Sequence, residues 1–215
     1  MEQILHLYRL PYDKRTPTVC FDERPCFLIG EAVGGLEMRA GQVRREHYAY
    51  EKHGSCALLM AIEPQTGQRL AQVCEHRTKQ DYAQFMKALA AMYPKAQQIR
   101  VVQDNLNTHD VSAFYEAFSA EEAFALAGRF EFYYTPKKAS WLNMIEIEFS
   151  ALSKQCFARR IATKEQLEQE VSAIVTERAE NAIKIDWQFS LDKARKKLNR
   201  HYQQLTGEPL QSQET

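Results

Sequence analysis

The 215 residues carry 28 Lys and Arg against 28 Asp and Glu, with 45% hydrophobic, 11% aromatic and 26% charged side chains. A chain of this length buries roughly two thirds or more of its unfolded surface, which excludes collagenous, disordered and disulfide-stapled classes and leaves one globular domain, expected over residues 1–202. No apolar run nears the roughly 20 residues of a membrane span, and the N-terminal stretch lacks the apolar core of a signal peptide, so a soluble cytoplasmic protein without a membrane partner is expected.

Thr18 to Phe21 reads as a buried strand that finishes on Asp22 and Glu23 and is stopped by Pro25. Four glycines, at 30, 34, 35 and 41, mark an irregular loop over 31–42. Extended segments at Glu46 to Tyr50 and Ser55 to Glu63 flank Lys52, His53 and Gly54, and the turn Pro64 to Gly67 leads into Arg69 to Glu75, an antiparallel hairpin or meander. Thr78 caps a helix whose Tyr82, Phe85, Met86, Leu89, Ala90 and Tyr93 share one face, and Pro94 ends it. Ile99 to Gln103 is a second buried strand, and it too finishes on an acid, Asp104.

Val111, Phe114, Tyr115 and Phe118 repeat at helical spacing, and Ser119 with Glu122 offers a capping box for a further turn or two closed by Gly128. Phe130 to Tyr134 is an aromatic strand. Leu142, Ile145, Phe149, Leu152 and Cys156 then mark a helical stripe, and Thr163 with Gln166 opens a helix that turns Leu167, Val171, Ile174 and Val175 inward. Trp187 is assigned to the core, Leu191 to Arg200 to a short basic helix, and residues 203–215 to a disordered polar tail. An antiparallel start followed by alternating helices and strands indicates a mixed α/β sheet with helices on both faces.

The five cysteines, Cys20, Cys26, Cys56, Cys74 and Cys156, lack the paired spacings of a zinc site and read as reduced, buried thiols. Net charge is zero but unevenly spread. Residues 1–136 hold 15 basic and 17 acidic side chains, whereas residues 137–201 hold 13 and 9, so a polyanion should prefer the second half.

Three carboxylates stand in comparable settings: Asp22 and Asp104 terminate core strands, and an acid lies early in the helix after the last strand. Acids beside a core are costly unless paired, and where several converge without a basic partner a divalent cation such as Mg²⁺ is the economical explanation. Glu146 and Glu148 compete for the third place. At about 100° per residue they project about 200° apart and flank the apolar stripe equally, so periodicity does not choose between them.

The segments from Val19 to Pro25, Val101 to His109 and Tyr134 to Glu146 resemble, in order, the three acidic motifs of DDE transposases from bacterial insertion sequences in the Tc/mariner-like superfamily. Trp187 to Phe189 followed by Lys193 to Leu198 resembles that superfamily's closing segment. The resemblance implies an RNase H-like fold with a mixed five-stranded sheet. It maps the catalytic, metal-binding acids onto Asp22, Asp104 and Glu146, which decides against Glu148. It implies two Mg²⁺ ions, replaceable by Mn²⁺, roughly 4 Å apart on either side of a DNA phosphate, with Asp22 bridging them, Asp104 completing one and Glu146 the other.

The implied activity is cleavage at element ends and joining of the freed 3′-hydroxyl to target DNA. The implied partners are double-stranded DNA and a second copy of the chain, and the implied location is the bacterial nucleoid. His109, Lys137, Lys138, Trp141, Arg159 and Arg160 are the candidate DNA contacts, with contact to a neighbouring carboxylate the alternative for His109, and Asn105 and Asn143 are supporting residues. The spacer of 41 residues between Asp104 and Glu146 is longer than usual for the superfamily, the surplus falling between Ser119 and Arg129. The superfamily's amino-terminal helix-turn-helix region is not in this sequence, so the chain is expected to be a catalytic portion whose DNA-recognition region lies in an upstream frame. A nuclease for RNA·DNA hybrids or DNA junctions, and an inactive DNA- or partner-binding remnant, are the competing readings.

Overall fold

The computed structural model describes residues 1–32, 49–157 and 159–196. Five strands, β1 (Thr18–Glu31), β2 (Tyr50–Ile62), β3 (Arg69–Cys74), β4 (Ile99–Gln103) and β5 (Phe130–Tyr134), form one sheet in the order β3-β2-β1-β4-β5. The meander β1-β2-β3 is antiparallel, and β4 and β5 extend it in parallel with β1. Among the described residues it is flanked by α1 (Glu2–Arg9), α2 (Lys79–Met92), α3 (Ser112–Ala117), α4 (Ala120–Ala127), α5 (Ile145–Gln155) and α6 (Lys164–Glu180).

Alternation along the strands divides the core between the two faces. Val19, Phe21, Leu59 and Val101 pack with Tyr82, Phe85 and Leu89 of α2, Phe114 of α3 and Leu126 of α4. Cys20, Leu58, Met60 and Val102 pack on the opposite face with Ile4 of α1, Phe149 and Leu152 of α5, and Leu167 and Val171 of α6. Covered on both sides, β2 is buried without interruption from Cys56 to Ile62. The capping predicted at Thr78 is present in full, because its hydroxyl accepts from the Asp81 N–H while the Asp81 carboxylate accepts from the Thr78 N–H.

Three local expectations are corrected. β1 does not stop at Pro25 but runs on to Glu31, paired with β2 throughout. Its pairing with β4 spans only Thr18 to Cys20, so one side of the later strand is not committed to β4, and proline is tolerated with its nitrogen turned away from the ladder. β2 likewise runs through Lys52, His53 and Gly54, where a register shift between Leu28 and Ile29 skips His53 and Gly54 takes φ 107°. Helix α1 was not among the expected elements, although Ile4, Leu5, Leu7 and Tyr8 share a face. The loop positions 33–42, the segment 46–48, the end of the basic helix and the tail over 203–215 lie outside the described residues; residues 191–196 are helical.

A buried ion cluster fastens α5 and α6 to β3. Glu148 faces inward with no exposed side-chain surface and accepts paired hydrogen bonds from Arg69 (2.8 and 3.0 Å) and Arg178 (2.9 and 3.1 Å). Arg69, also fully covered, donates further to the carbonyls of Gly67, Arg178 and Ile183. Gly67 has φ 85°, and a Cβ there would stand 2.8 Å from the Ile183 carbonyl, so the turn and the 182–183 segment meet only because this residue is glycine. Burial alone would raise the Glu148 carboxyl, but the two guanidinium groups outweigh it and hold the group below its ordinary range.

Replacing Glu148 by Gln leaves two guanidinium groups without their counter-charge, and a loss of about 3–5 kcal/mol is expected in urea unfolding at pH 7. A carboxyl lowered by folding stabilises above its unfolded pKa and loses that contribution as pH falls through the folded value. The gap between wild type and Glu148→Gln should therefore close in acid.

Candidate active site

Parallel pairing of β1 with β4 ends two residues short of an acid on each segment. Cys20 is opposite Val102, and two residues further along each strand stand Asp22 and Asp104. The third acid arrives from the far edge: β5 ends at Tyr134, a single 3₁₀ turn covers Ser140–Leu142, and Glu146 lies in the first turn of α5. Buried Asn143 ties that start to the sheet, donating from Nδ2 to the carbonyl of Phe21 (2.8 Å), the residue before Asp22. The Tyr8 hydroxyl donates to the Leu142 carbonyl (2.8 Å) and secures the same turn from α1.

Asp22 feels the charges of the other two carboxylates. Burial pushes the Asp22 carboxyl up to about 7; the Glu23 N–H pulls the other way, and the negative charges of Asp104 and Glu146 raise it further. Neither Asp22 nor Glu146 has an ion-pair partner among the described residues. All three groups offer hard oxygen atoms of the kind that Mg²⁺ and Mn²⁺ take, and their shared negative charge is what a divalent cation would relieve. Among the described residues, however, no group of three or more His, Cys, Asp or Glu side chains is arranged so that it could hold a metal ion as it stands. The donors fit such an ion in chemistry and charge rather than as a finished cage.

The structure separates the rivals that periodicity left level. Glu148 is wholly buried between two arginines, while Glu146 is exposed and lines an open groove of about 560 Å³ with Trp141, Ile147, Ser150 and Lys154. His109, expected to contact either phosphate or a neighbouring carboxylate, meets the carboxylate: only 1% exposed, it is stacked on Tyr82 with centroids 5.1 Å apart and bonded through Nδ1 to Asp104 Oδ1 at 2.6 Å. Burial alone would lower its pKa, but Asp104 and Glu23 outweigh burial and raise it to about 9.

The other candidates lie on separate segments, and Arg159 and Arg160 stand beside the far stretch of β1, from Phe27 to Ile29. Lys137 and Lys138 are exposed on the β5–α5 connection, Lys138 with φ 63°. Trp141 is half-exposed and meets Phe189 edge-on. Arg159 is paired with Glu170, and Arg160 donates to the Ala49 carbonyl. Asn105 is exposed on the loop after Asp104. Sequence reading missed Glu23, which the structure sets between Arg77 (3.0 Å) and His109 (3.5 Å); its only signal was adjacency to Asp22.

A five-stranded mixed sheet in this order, covered by helices on both faces, with one acid within its central strand and another directly after the neighbouring parallel strand, is an RNase H-like fold. Residues 17–168 match the family described as DDE superfamily endonuclease, and the chain belongs to that family. Among solved structures it is similar to the Mos1 mariner paired-end complex with Mn (TM-score 0.54, 14% identity, 96% of this chain and 60% of that one). It is also similar to the Mos1 strand transfer complex (0.54, 12%, 98% and 59%) and to the paired-end complex with Mg (0.52, 12%, 96% and 59%). The chain thus spans about 60% of the length of the Mos1 chains. No curated protein sequence matches it. Among the described residues no helix is long and apolar enough to cross a membrane.

Asp22 has a stability signature of its own. Its pKa rises on folding from the ordinary 3.8 to about 7, so its contribution worsens as pH climbs through that window and is fully unfavourable above it. In EDTA, Asp22→Asn should stabilise the chain by on the order of 2–4 kcal/mol at pH 8, since the amide keeps an oxygen for the Glu23 N–H and sheds the charge. Melting curves at pH 8 and pH 4 check this, with the difference vanishing at the lower value.

Proposed function

We propose that the chain is the catalytic portion of a DDE transposase, cutting DNA at the ends of a mobile element and joining the freed 3′-hydroxyl to target DNA. The observation that supports this reading is geometric: Asp22 and Asp104 each lie two residues past the Cys20–Val102 pair of β1 and β4, and Asn143 ties the start of α5, which carries Glu146, to the Phe21 carbonyl beside Asp22. Membership of an endonuclease family sets the reaction at a phosphodiester, and the likeness to paired-end and strand-transfer complexes of Mos1 supports transposon ends as substrate. Two copies acting on paired ends and a DNA-recognition region encoded upstream belong to the same proposal, as does work at the bacterial nucleoid.

Asp22, Asp104 and Glu146 are the residues that would hold two Mg²⁺ ions, with Mn²⁺ as substitute, Asp22 contributing to both. When bound, such ions acidify the attacking hydroxyl or water and neutralise the leaving oxygen. The protein's own share is to hold its acids on rigid elements. Asn143 fixes the start of α5 against β1, and inward-facing Glu148 sets the rotation that leaves Glu146 outward. Lys137 and Lys138 supply positive charge for the DNA backbone, and exposed Trp141 offers an aromatic face for a base.

Asp22→Asn, Asp104→Asn and Glu146→Gln should each reduce Mg²⁺-dependent nicking of duplex DNA by at least about a hundredfold while leaving the circular dichroism spectrum unchanged. Full activity in any one of them sinks the assignment. Cleavage of RNA·DNA hybrids in preference to duplex DNA would replace the transposase with a hybrid nuclease using the same acids.

A further inference from the structure

His109 is enclosed on every side that the described residues supply. Tyr82 stacks on its ring (5.1 Å, 27° between planes) and Phe21 meets it edge-on (5.1 Å, 74°). Its backbone is fastened too: its N–H donates to the Leu106 carbonyl (2.9 Å), and its own carbonyl accepts from Gln103 Nε2 (3.0 Å), whose Oε1 takes the Tyr82 hydroxyl (2.9 Å). The ring therefore has no freedom to turn. Its two nitrogens face two carboxylates, Nδ1 at 2.6 Å from Asp104 Oδ1 and Nε2 at 3.5 Å from Glu23 Oε2. The second contact has ion-pair distance without hydrogen-bond alignment, and Nε2 has no other partner among the described residues. Glu23 is braced in turn by Arg77 at 3.0 Å.

The contacts on Asp104 are one-sided. Both the His109 bond and the weaker one from the Leu106 N–H (3.4 Å) fall on Oδ1, and none among the described residues falls on Oδ2. A buried, unturnable imidazole that occupies one carboxylate oxygen fixes the plane of the carboxylate and leaves the other oxygen free. This is the arrangement by which outer partners orient metal ligands and tune their affinity. We propose that His109, backed by Glu23, is a positioning residue that holds Asp104 for one-oxygen coordination of a divalent cation through Oδ2. The inference rests on the assignment of Asp104 as a metal ligand in the proposed function.

The test exploits the shape of the two amide side chains. In His109→Asn the amide nitrogen takes roughly the place of Nδ1 and can still donate to Asp104; in His109→Gln it takes roughly the place of Nε2 and reaches toward Glu23 instead. Mn²⁺ affinity of the full chain is measured by isothermal titration calorimetry, with melting curves alongside as the check on folding. His109→Asn should bind Mn²⁺ within about threefold of wild type, and His109→Gln should lose about 10–100-fold, the range for removal of an outer partner. Glu23→Gln, which keeps the Asp104 bond intact, should lose less than His109→Gln. Equal affinity in the Asn and Gln variants, or wild-type affinity in both, overturns the positioning role while Asp104→Asn still abolishes binding. Wild-type chain that takes up no Mn²⁺, or Asp104→Asn with undiminished affinity, overturns the proposed function itself. If both amide variants fail to fold, Glu23→Gln at wild-type Mn²⁺ affinity overturns the part assigned to Glu23.

Discussion

Alternation along β1 is the constraint from which the site follows. Val19 and Phe21 are committed to the face covered by α2, α3 and α4, and Cys20 to the face covered by α1, α5 and α6. Parallel pairing with β4 then fixes where Asp22 stands relative to Asp104, because Cys20 and Val102 are already opposite one another. A slip of one residue would reverse every side chain of the strand, burying the acid among aromatic rings and stranding Phe21 on the other face. The positions of two of the three carboxylates are thus consequences of core packing, and they are as well determined as the core itself.

The third carboxylate is placed by a different device. Asn143 fastens the approach to α5 onto the backbone of β1, and Glu148 locks the rotation of the helix by drawing Arg69 from the sheet and Arg178 from α6 onto one face. Two glutamates separated by one residue therefore have opposite fates. One is neutralised by two guanidinium groups in the interior; the other is left outward beside a groove. Buried ion clusters contribute little net stability compared with a well-packed apolar core, but they penalise alternative arrangements heavily. Here the penalty bears on helix rotation, which sets the direction in which Glu146 points.

Much of this was legible in the sequence. The strands at Thr18, Ile99 and Phe130, the capped helix after Thr78 and the apolar stripes of α5 and α6 rest on local patterns of burial and capping, and each appears where those patterns put it. What was not legible depended on partners distant along the chain. Nothing near Glu148 announces Arg69, 79 residues away, so the choice between the two glutamates could not come from periodicity. His109 stands among mostly polar neighbours in sequence, which give no sign of burial. Its burial is made by Phe21 and Tyr82, which come from β1 and α2. Helix α1 has no side-chain cap to announce it and owes its place to Ile4, Leu5 and Leu7 meeting the core. The extension of β1 past Pro25 was hidden because a proline forbids a strand only where its nitrogen must donate.

That proline has a further consequence. Beyond Cys20, β1 departs from β4, and a strand flank of this kind is a template on which a foreign β-segment can polymerise. Pro25 is exposed on that stretch and presents no amide hydrogen to an incoming chain. Asn143 already takes the Phe21 carbonyl and the Ile161 carbonyl the Ile29 N–H, so the stretch left for a stray strand is short, and within it the imino acid removes one donor more.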